Sequence, residues 1–188
     1  MANPVGVVII GAGAGTRFGG PKAEALLDDG RRFLDAIVST ATSAGLGPIV
    51  AVLPPGIEAP KDVRVAVNLN PKSEQIASAR IGLMQLTNAP VSSALLWPVD
   101  HPFVSVESVL AVMDCARRTG AQIVIPTYEG RRGHPGLFHR DTWRELMTVP
   151  EGGARTVIRA DRSRVAETAV ADRGVVRDID TRDDLMIS

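Results

Sequence analysis

Apolar residues fall in short unbroken blocks along the first two thirds of the chain, separated by longer amphipathic stretches. The blocks lie at 5–10 (Val-Gly-Val-Val-Ile-Ile), 48–53 and 94–99. Each has the length of a strand. Their lack of polar interruptions predicts strands covered on both faces, as in a parallel sheet. Two more strands are predicted near 63–67 and 122–126. Between them the pattern shifts to helical spacing, with helices predicted near 33–44, 74–87 and 105–119. In the second, Ile76, Ala79, Leu83 and Leu86 form one apolar stripe. Ser105 is placed to cap the third. Alternating strands and helices predict an α/β class. The expected architecture is a single-domain three-layer sandwich around a mostly parallel, Rossmann-like sheet. Beyond residue 126 the pattern loosens into a turn at 129–133, a short apolar piece, short helices near 141–147 and 153–160, and two final strands near 165–170 and 175–179. No repeat, low-complexity segment or linker divides the 188 residues.

Charge narrows the function classes. The chain has 21 basic and 21 acidic residues and no net charge, so neither a nucleic-acid nor a membrane-surface partner is expected. The longest apolar runs are too short to span a bilayer. The N-terminus lacks the pattern of a signal peptide. The lone cysteine, Cys115, excludes an internal disulfide and reads as a small core residue of the third helix. A cytoplasmic location fits these features.

The chemistry concentrates where the first apolar block ends. There the chain reads Gly11-Ala12-Gly13-Ala14-Gly15-Thr16-Arg17-Phe18-Gly19-Gly20-Pro21-Lys22. A strand that breaks into a glycine-rich loop lets backbone N–H groups approach a polyphosphate. Arg17 can grip phosphate oxygens in a bidentate fork, and Lys22 adds a point charge. The spacing is not that of a dinucleotide fingerprint. Counting from Gly11 puts Thr16 at the third glycine of G-x-G-x-x-G, and counting from Gly13 puts Phe18 there. The ribose-binding acid expected about 20 residues later is replaced by Gly30-Arg31-Arg32. A P-loop is excluded too, because Lys22 is followed by Ala23 rather than Ser or Thr.

Three other groups follow strands or lie near the C-terminus. Open α/β sheets bind ligands beyond the carboxyl ends of their strands, so these groups can converge. Asp100 ends the third apolar block between Pro98 and Pro102 and is suited to Mg2+, which takes one or two carboxylates plus phosphates. Capping the turn is its plainer alternative role. His101 reads as structural. His134, between Gly133 and Pro135, is equally consistent with a turn hydrogen bond and with substrate contact. In Asp178-Ile179-Asp180-Thr181-Arg182-Asp183-Asp184, Asp180 is a candidate second metal ligand. Asp183 and Asp184 read as carboxylates at a helix start.

In combination these segments resemble the molybdenum-cofactor nucleotidyltransferases, within the nucleotide-diphosphosugar transferase fold. Residues 10–22 match the family's L-A-A-G-x-x-S/T-R-F/M-G-x-P-K in register, with Gly11 replacing one alanine. Asp100-His101-Pro102 matches its D-x-P motif. Gln75-Ile76-Ala77-Ser78-Ala79-Arg80-Ile81-Gly82-Leu83 matches its mid-chain helix. Gly133-His134-Pro135, Gly153-Ala154-Arg155 and residues 178–185 match three later motifs, so the likeness spans nearly the whole chain. The later motifs are more similar to the cytidylyl than to the guanylyl branch. Glu74 departs from a frequent glycine, and Pro150-Glu151-Gly152 stands where G-D-x is common.

The resemblance implies transfer of a nucleoside monophosphate from a nucleoside triphosphate, CTP favoured, to a phosphate-monoester acceptor, with molybdopterin the leading one. Pyrophosphate is released and Mg2+ is the cofactor. Residues 1–126 would form the nucleoside triphosphate-binding half and 127–188 the acceptor-binding half. Implied nucleotide contacts are Ala12, Gly13, Ala14, Gly15, Thr16, Arg17, Lys22, Gln75 and Ser78. Arg17, Lys22 and Asp100 would carry catalysis, Asp100 and Asp180 the metal, and His134 and Arg155 the acceptor. A sugar or polyol phosphate acceptor, or a nucleotide-binding protein without catalysis, are the alternatives.

Overall fold

The computed structural model describes residues 4–13, 15–70, 74–150 and 152–186. Strands β1 (Val5–Ile10), β2 (Ile49–Leu53), β3 (Val63–Val67) and β4 (Ser93–Pro98) follow the expected positions, with helices α1 (Phe33–Ser43) and α2 (Gln75–Leu86) between them. Helix α3 (Val106–Thr119) leads to β5 (Ile123–Tyr128). Then come β6 (Arg131–Arg132), β7 (Gly136–His139), α4 (Trp143–Thr148), α5 (Gly153–Ala160) and β8 (Val165–Ala169). Helix α3 begins as its sequence suggests, with the Ser105 hydroxyl accepting from the Ser108 amide, and it ends at Gly120 in the left-handed region.

Among the described residues, one mixed sheet runs β3-β2-β1-β4-β7-β5, with the first four strands parallel. Strand β7 is antiparallel to both β4 and β5. Residue pairing shows how β5 is flanked. Thr127 faces Arg132 of β6 on one edge and Ala169 of β8 on the other. The antiparallel pieces arise from chain length: only two residues separate β5 from β6, far too few for the crossover a parallel pairing needs.

The strand expected near 175–179 does not form. Residues Arg173–Val176 make a 3-10 turn instead. Asp172 causes this locally by accepting from the Gly174 amide at 2.7 Å while its other oxygen accepts from the Ser105 amide. The backbone that follows bonds to loops rather than to a strand: the His134 amide donates to Val175 O, and the Ile179 amide donates to Asp100 O. Val175 and Ile179 are apolar because both are fully buried, not because they alternate across a sheet.

Helices cover both faces. Val7 and Ile9 of β1 point toward Phe33, Leu34 and Ile37 of α1 and Val109, Val112 and Cys115 of α3. Val8 points the other way, toward Ala79, Leu83 and Leu86 of α2, Leu146 of α4 and Val157 of α5. The helix after β1 therefore lies on one face and the helix before β4 on the other. The switch point falls between β1 and β4, and the glycine loop and Asp100 leave the sheet side by side there.

Close packing of α2 on β1 depends on Gly82. A Cβ there would lie 2.2 Å from Val8 Cγ1 and 3.1 Å from Val52 Cγ2, both on fully buried side chains. Gly82→Ala is expected to lower stability by roughly 1–3 kcal/mol through overpacking. A urea midpoint equal to that of the native chain would refute it.

Candidate functional site

The loop after β1 is folded onto itself. Gly11 still donates to Val52 O in the neighbouring strand, after which the backbone turns at Gly15 with φ +57°. The Gly15 carbonyl accepts from the amides of Phe18 and Gly19, both at 2.9 Å. A Cβ on Gly15 would lie 1.9 Å from Gly20 O, so only glycine fits. Buried Phe18 anchors the turn edge-on against Phe33 of α1. Arg17 is left exposed on the outside, while Lys22 is directed inward and is mostly buried.

Lys22 joins three segments that are far apart in sequence. Its ammonium donates to Asp180 Oδ1 at 2.6 Å and to Asp100 Oδ2 at 3.3 Å. Arg17 Nη1 lies 2.9 Å from the other oxygen of Asp180. The Asp180 loop is shaped by Asp184, whose Oδ2 accepts from the amides of Asp180 and Thr181 and from the Thr181 hydroxyl. Asp184 does sit in the first turn of a short 3-10 helix, as its position suggests, but its bonds run back to the loop.

Burial alone would push the Asp100 carboxyl up. The hydrogen bond and charge of His101, joined by those of Lys22, outweigh burial and hold the group at about 2. His101 is itself structural: buried, its Nδ1 lies 3.0 Å from Asp100 Oδ1, and its carbonyl accepts from Trp97 Nε1. Its ring meets that of His134 edge to face, with centroids 4.8 Å apart. Burial, reinforced by His101, holds the His134 imidazole down at about 4, so it is neutral at pH 7.

Two adjoining cavities occupy this edge of the sheet. The smaller, about 270 Å3, is lined by Gly13, Gly15, Thr16, Arg17, Lys22, Ser78, Asp100 and Asp180. The larger, about 500 Å3, contains His134 and Arg155. Ile10 and Gln75 line both. Ala12 instead packs in the core beside Val8 and Ala79, and Ala14 lies outside the described residues. Ser78 is buried and accepts from Asn68 Nδ2 at 3.0 Å. Asn68 shapes the site without carrying a recognisable motif. Its one available sign was that it is a polar residue close to an apolar segment, which is too common to single it out. Asp184 lies in a matched motif, but its bonds to the Asp180 loop are not legible in it.

The side chains fit a divalent cation. Two carboxylates from separate segments already face a common cation, the Lys22 ammonium, and both present only hard oxygen donors. Among the described residues no group of three or more His, Cys, Asp or Glu side chains forms a closed cage. A pair of carboxylates open to phosphate and water suits Mg2+ or Mn2+ better than a metal that demands a full protein shell.

Comparison with known proteins shows the family. The family model described as "MobA-like NTP transferase domain" matches residues 7–166. The 2-C-methyl-D-erythritol 4-phosphate cytidylyltransferase of Thermus thermophilus is 31% identical over 162 residues, covering 82% of this chain and 72% of its own. Rv0371c of Mycobacterium tuberculosis H37Rv superposes with a TM-score of 0.84 at 24% identity over 100% of both chains, and a structure of it is a complex with manganese. Molybdopterin-guanine dinucleotide biosynthesis protein A of Archaeoglobus fulgidus superposes at 0.68 and 20% identity, covering 96% of this chain and 94% of its own. The two structural likenesses are of fold. No helix among the described residues is long and apolar enough to cross a membrane. With the family model covering most of the chain and a relative above 30% identity, this protein belongs to the MobA-like nucleotidyltransferases.

Proposed function

We propose that the protein transfers a nucleoside monophosphate, CMP from CTP, to the phosphate of molybdopterin. An oxygen of the acceptor phosphate attacks the α-phosphorus, the bond from that phosphorus to the bridging oxygen breaks, and pyrophosphate leaves. The observation that carries this reading is the convergence of Arg17, Lys22, Asp100 and Asp180 on one small cavity that shares Ile10 and Gln75 with a larger one. On this reading the triphosphate takes the smaller cavity and the acceptor the larger one, which residues from both 1–126 and 127–188 line.

Each residue has a distinct part. Arg17 and the amides of residues 13–17 bind the β- and γ-phosphates. Lys22 stabilises charge that develops at the α-phosphate. Gln75, and Ser78 as oriented by Asn68, face the nucleoside. His134 stands as a neutral hydrogen-bonding group toward the acceptor, and Arg155 offers a positive charge to it. Asp100 and Asp180 would hold Mg2+, which supplies Lewis acidity and a template for the phosphates. No covalent nucleophile is needed, because positioning and electrostatics supply most of the catalysis in phosphoryl transfer.

A sugar or polyol phosphate is the second acceptor reading, favoured by the Thermus relative. The larger cavity favours molybdopterin through Ile10, Leu96, Ile125 and Phe138, which offer an apolar surface to a flat ring beside the polar Gln75, His134 and Arg155.

Pyrophosphate release from CTP, GTP and ATP, each with molybdopterin or 2-C-methyl-D-erythritol 4-phosphate, tests both choices. CTP with molybdopterin is expected to be the best pair, and a better rate with GTP or with the erythritol phosphate would replace the corresponding assignment. Lys22→Ala and Asp100→Ala are each expected to remain folded and to lose roughly 10²-fold or more in turnover, the scale of removing one preorganised charge contact. Native-like rates in either would sink its role.

The pH profile supplies a separate check. Asp100 stays ionised down to about 2. A phosphate monoester dianion takes up a proton to become the monoanion near pH 6. Activity should therefore fall as pH drops through about 6, because the acceptor loses its dianion while the site keeps its charge. A phosphonate analogue with a raised second pKa should move that limb upward, and a stationary limb would assign it to the protein instead.

A further inference from the structure

Helix α5 forms one wall of the larger cavity with two rows of side chains. Ala154 and Ile158 make an apolar row, and Arg155 and Arg159 a basic one. Residues four apart stack on the same helix face. The apolar row packs against the core, whereas both arginines are exposed along the cavity. Among the described residues neither arginine has a carboxylate partner. Arg132, which lines the same cavity, differs: Glu167 holds its guanidinium at 2.6 Å. Among the described residues Glu74 is the one acid that also lines the cavity, and it offsets only one of the two free charges.

The wall is held in place from α2. Arg80 donates through Nε to Leu146 O at 2.9 Å and through Nη2 to Val149 O, fixing the end of α4 just before α5. One turn earlier on the same helix face, Ile76 lies so close to Gly153 that a Cβ there would sit 3.2 Å from the Ile76 Cβ. Glu145 and Arg164 pair across the ends of the α4–α5 hairpin. The two arginines therefore project from a braced helix rather than from a loose surface segment.

Their position sets which part of a substrate they can meet. Neither lines the smaller cavity that contains Arg17, Lys22 and Asp100. The acceptor phosphate must enter that cavity to attack, so it cannot at the same time be the group that α5 neutralises. We propose that Arg155 and Arg159 form a second anion subsite, and that the acceptor is a phosphate ester on a flat or apolar body that carries a second anionic group. This rests on the transferase reading above and narrows it.

The probes are phenyl phosphate and its 3- and 4-carboxylated derivatives, with binding to the full chain measured by calorimetry. At least one carboxylated probe should bind the native protein roughly tenfold more tightly than phenyl phosphate, the scale of one charge-assisted hydrogen bond. In Arg155→Gln/Arg159→Gln that advantage should shrink to less than about twofold. No advantage for either derivative, or an advantage that survives in the double variant, overturns the subsite. The same titrations with α,β-methylene-CTP separate the two claims. Failure to bind the nucleotide analogue would sink the transferase reading, while the carboxylate advantage in nucleotide-free protein would stand or fall by itself.

Discussion

One ammonium group organises the functional edge of this molecule. Lys22 comes from the first loop, Asp100 from the end of β4 and Asp180 from the C-terminal segment, and its nitrogen is the point at which the three meet. With its side chain only 14% exposed, Lys22 would be costly to keep charged without partners. Two carboxylates also repel each other unless a cation lies between them. Each group therefore requires the others, and a chain segment 158 residues away in sequence is drawn to the first loop.

The sheet makes the meeting possible. β1 and β4 are neighbours although they are not consecutive, and their parallel pairing sets Ile10 beside Pro98. The residues that follow both strands thus leave from the same edge. The C-terminal segment has no strand to position it, and hydrogen bonds do so instead. Asp172 ties it to the start of α3, Ile179 donates to Asp100 O, and Asp184 closes the turn that carries Asp180. These bonds account for two of the acidic residues at 172–184. Asp172 and Asp184 hold the backbone, and Asp180 alone among them lines the smaller cavity.

What could be read from the sequence follows from how local each signal is. Strands β1, β2 and β4 were legible because burial on both faces leaves an unbroken apolar run. The cap at Ser105 and the core role of Cys115 were legible because each depends on its own helix. Arg17, Lys22 and Asp100 were legible because strand ends carry them and an α/β sheet collects its strand ends. β6 and β7 were not, since their pairing depends on a tight return that a short apolar piece does not announce. The supposed strand at 175–179 failed for a related reason: two buried aliphatic residues look the same whether a ladder or a set of loop contacts buries them. The roles of Asn68 and Arg80 lay beyond reach as well, although Arg80 stands in a matched motif. Asn68 acts through a buried bond to Ser78, and Arg80 through carbonyls of a helix 66 and 69 residues away.

The same contrast separates reaction from acceptor. The groups proposed to handle a triphosphate, Arg17, Lys22 and Asp100, follow strands of the sheet, and their proposed chemistry is constrained by the phosphates, which every nucleoside triphosphate shares. Of the residues proposed for the acceptor side, Arg155 and Arg159 sit on α5, a helix of eight residues that reaches the core mainly through Gly153 and Val157. Its exposed face can change charge without disturbing the core, because no packed neighbour opposes it. A positive row on that face is therefore not demanded by folding. Arg155 and Arg159 cost the helix a like-charge contact at four-residue spacing, which is unfavourable by a few tenths of a kcal/mol. The fold pairs Arg31, Arg32, Arg117, Arg118, Arg132 and Arg164 with acids, whereas among the described residues Arg155 and Arg159 form no ion pair beside their cavity, where an anionic ligand is the partner that would complete them.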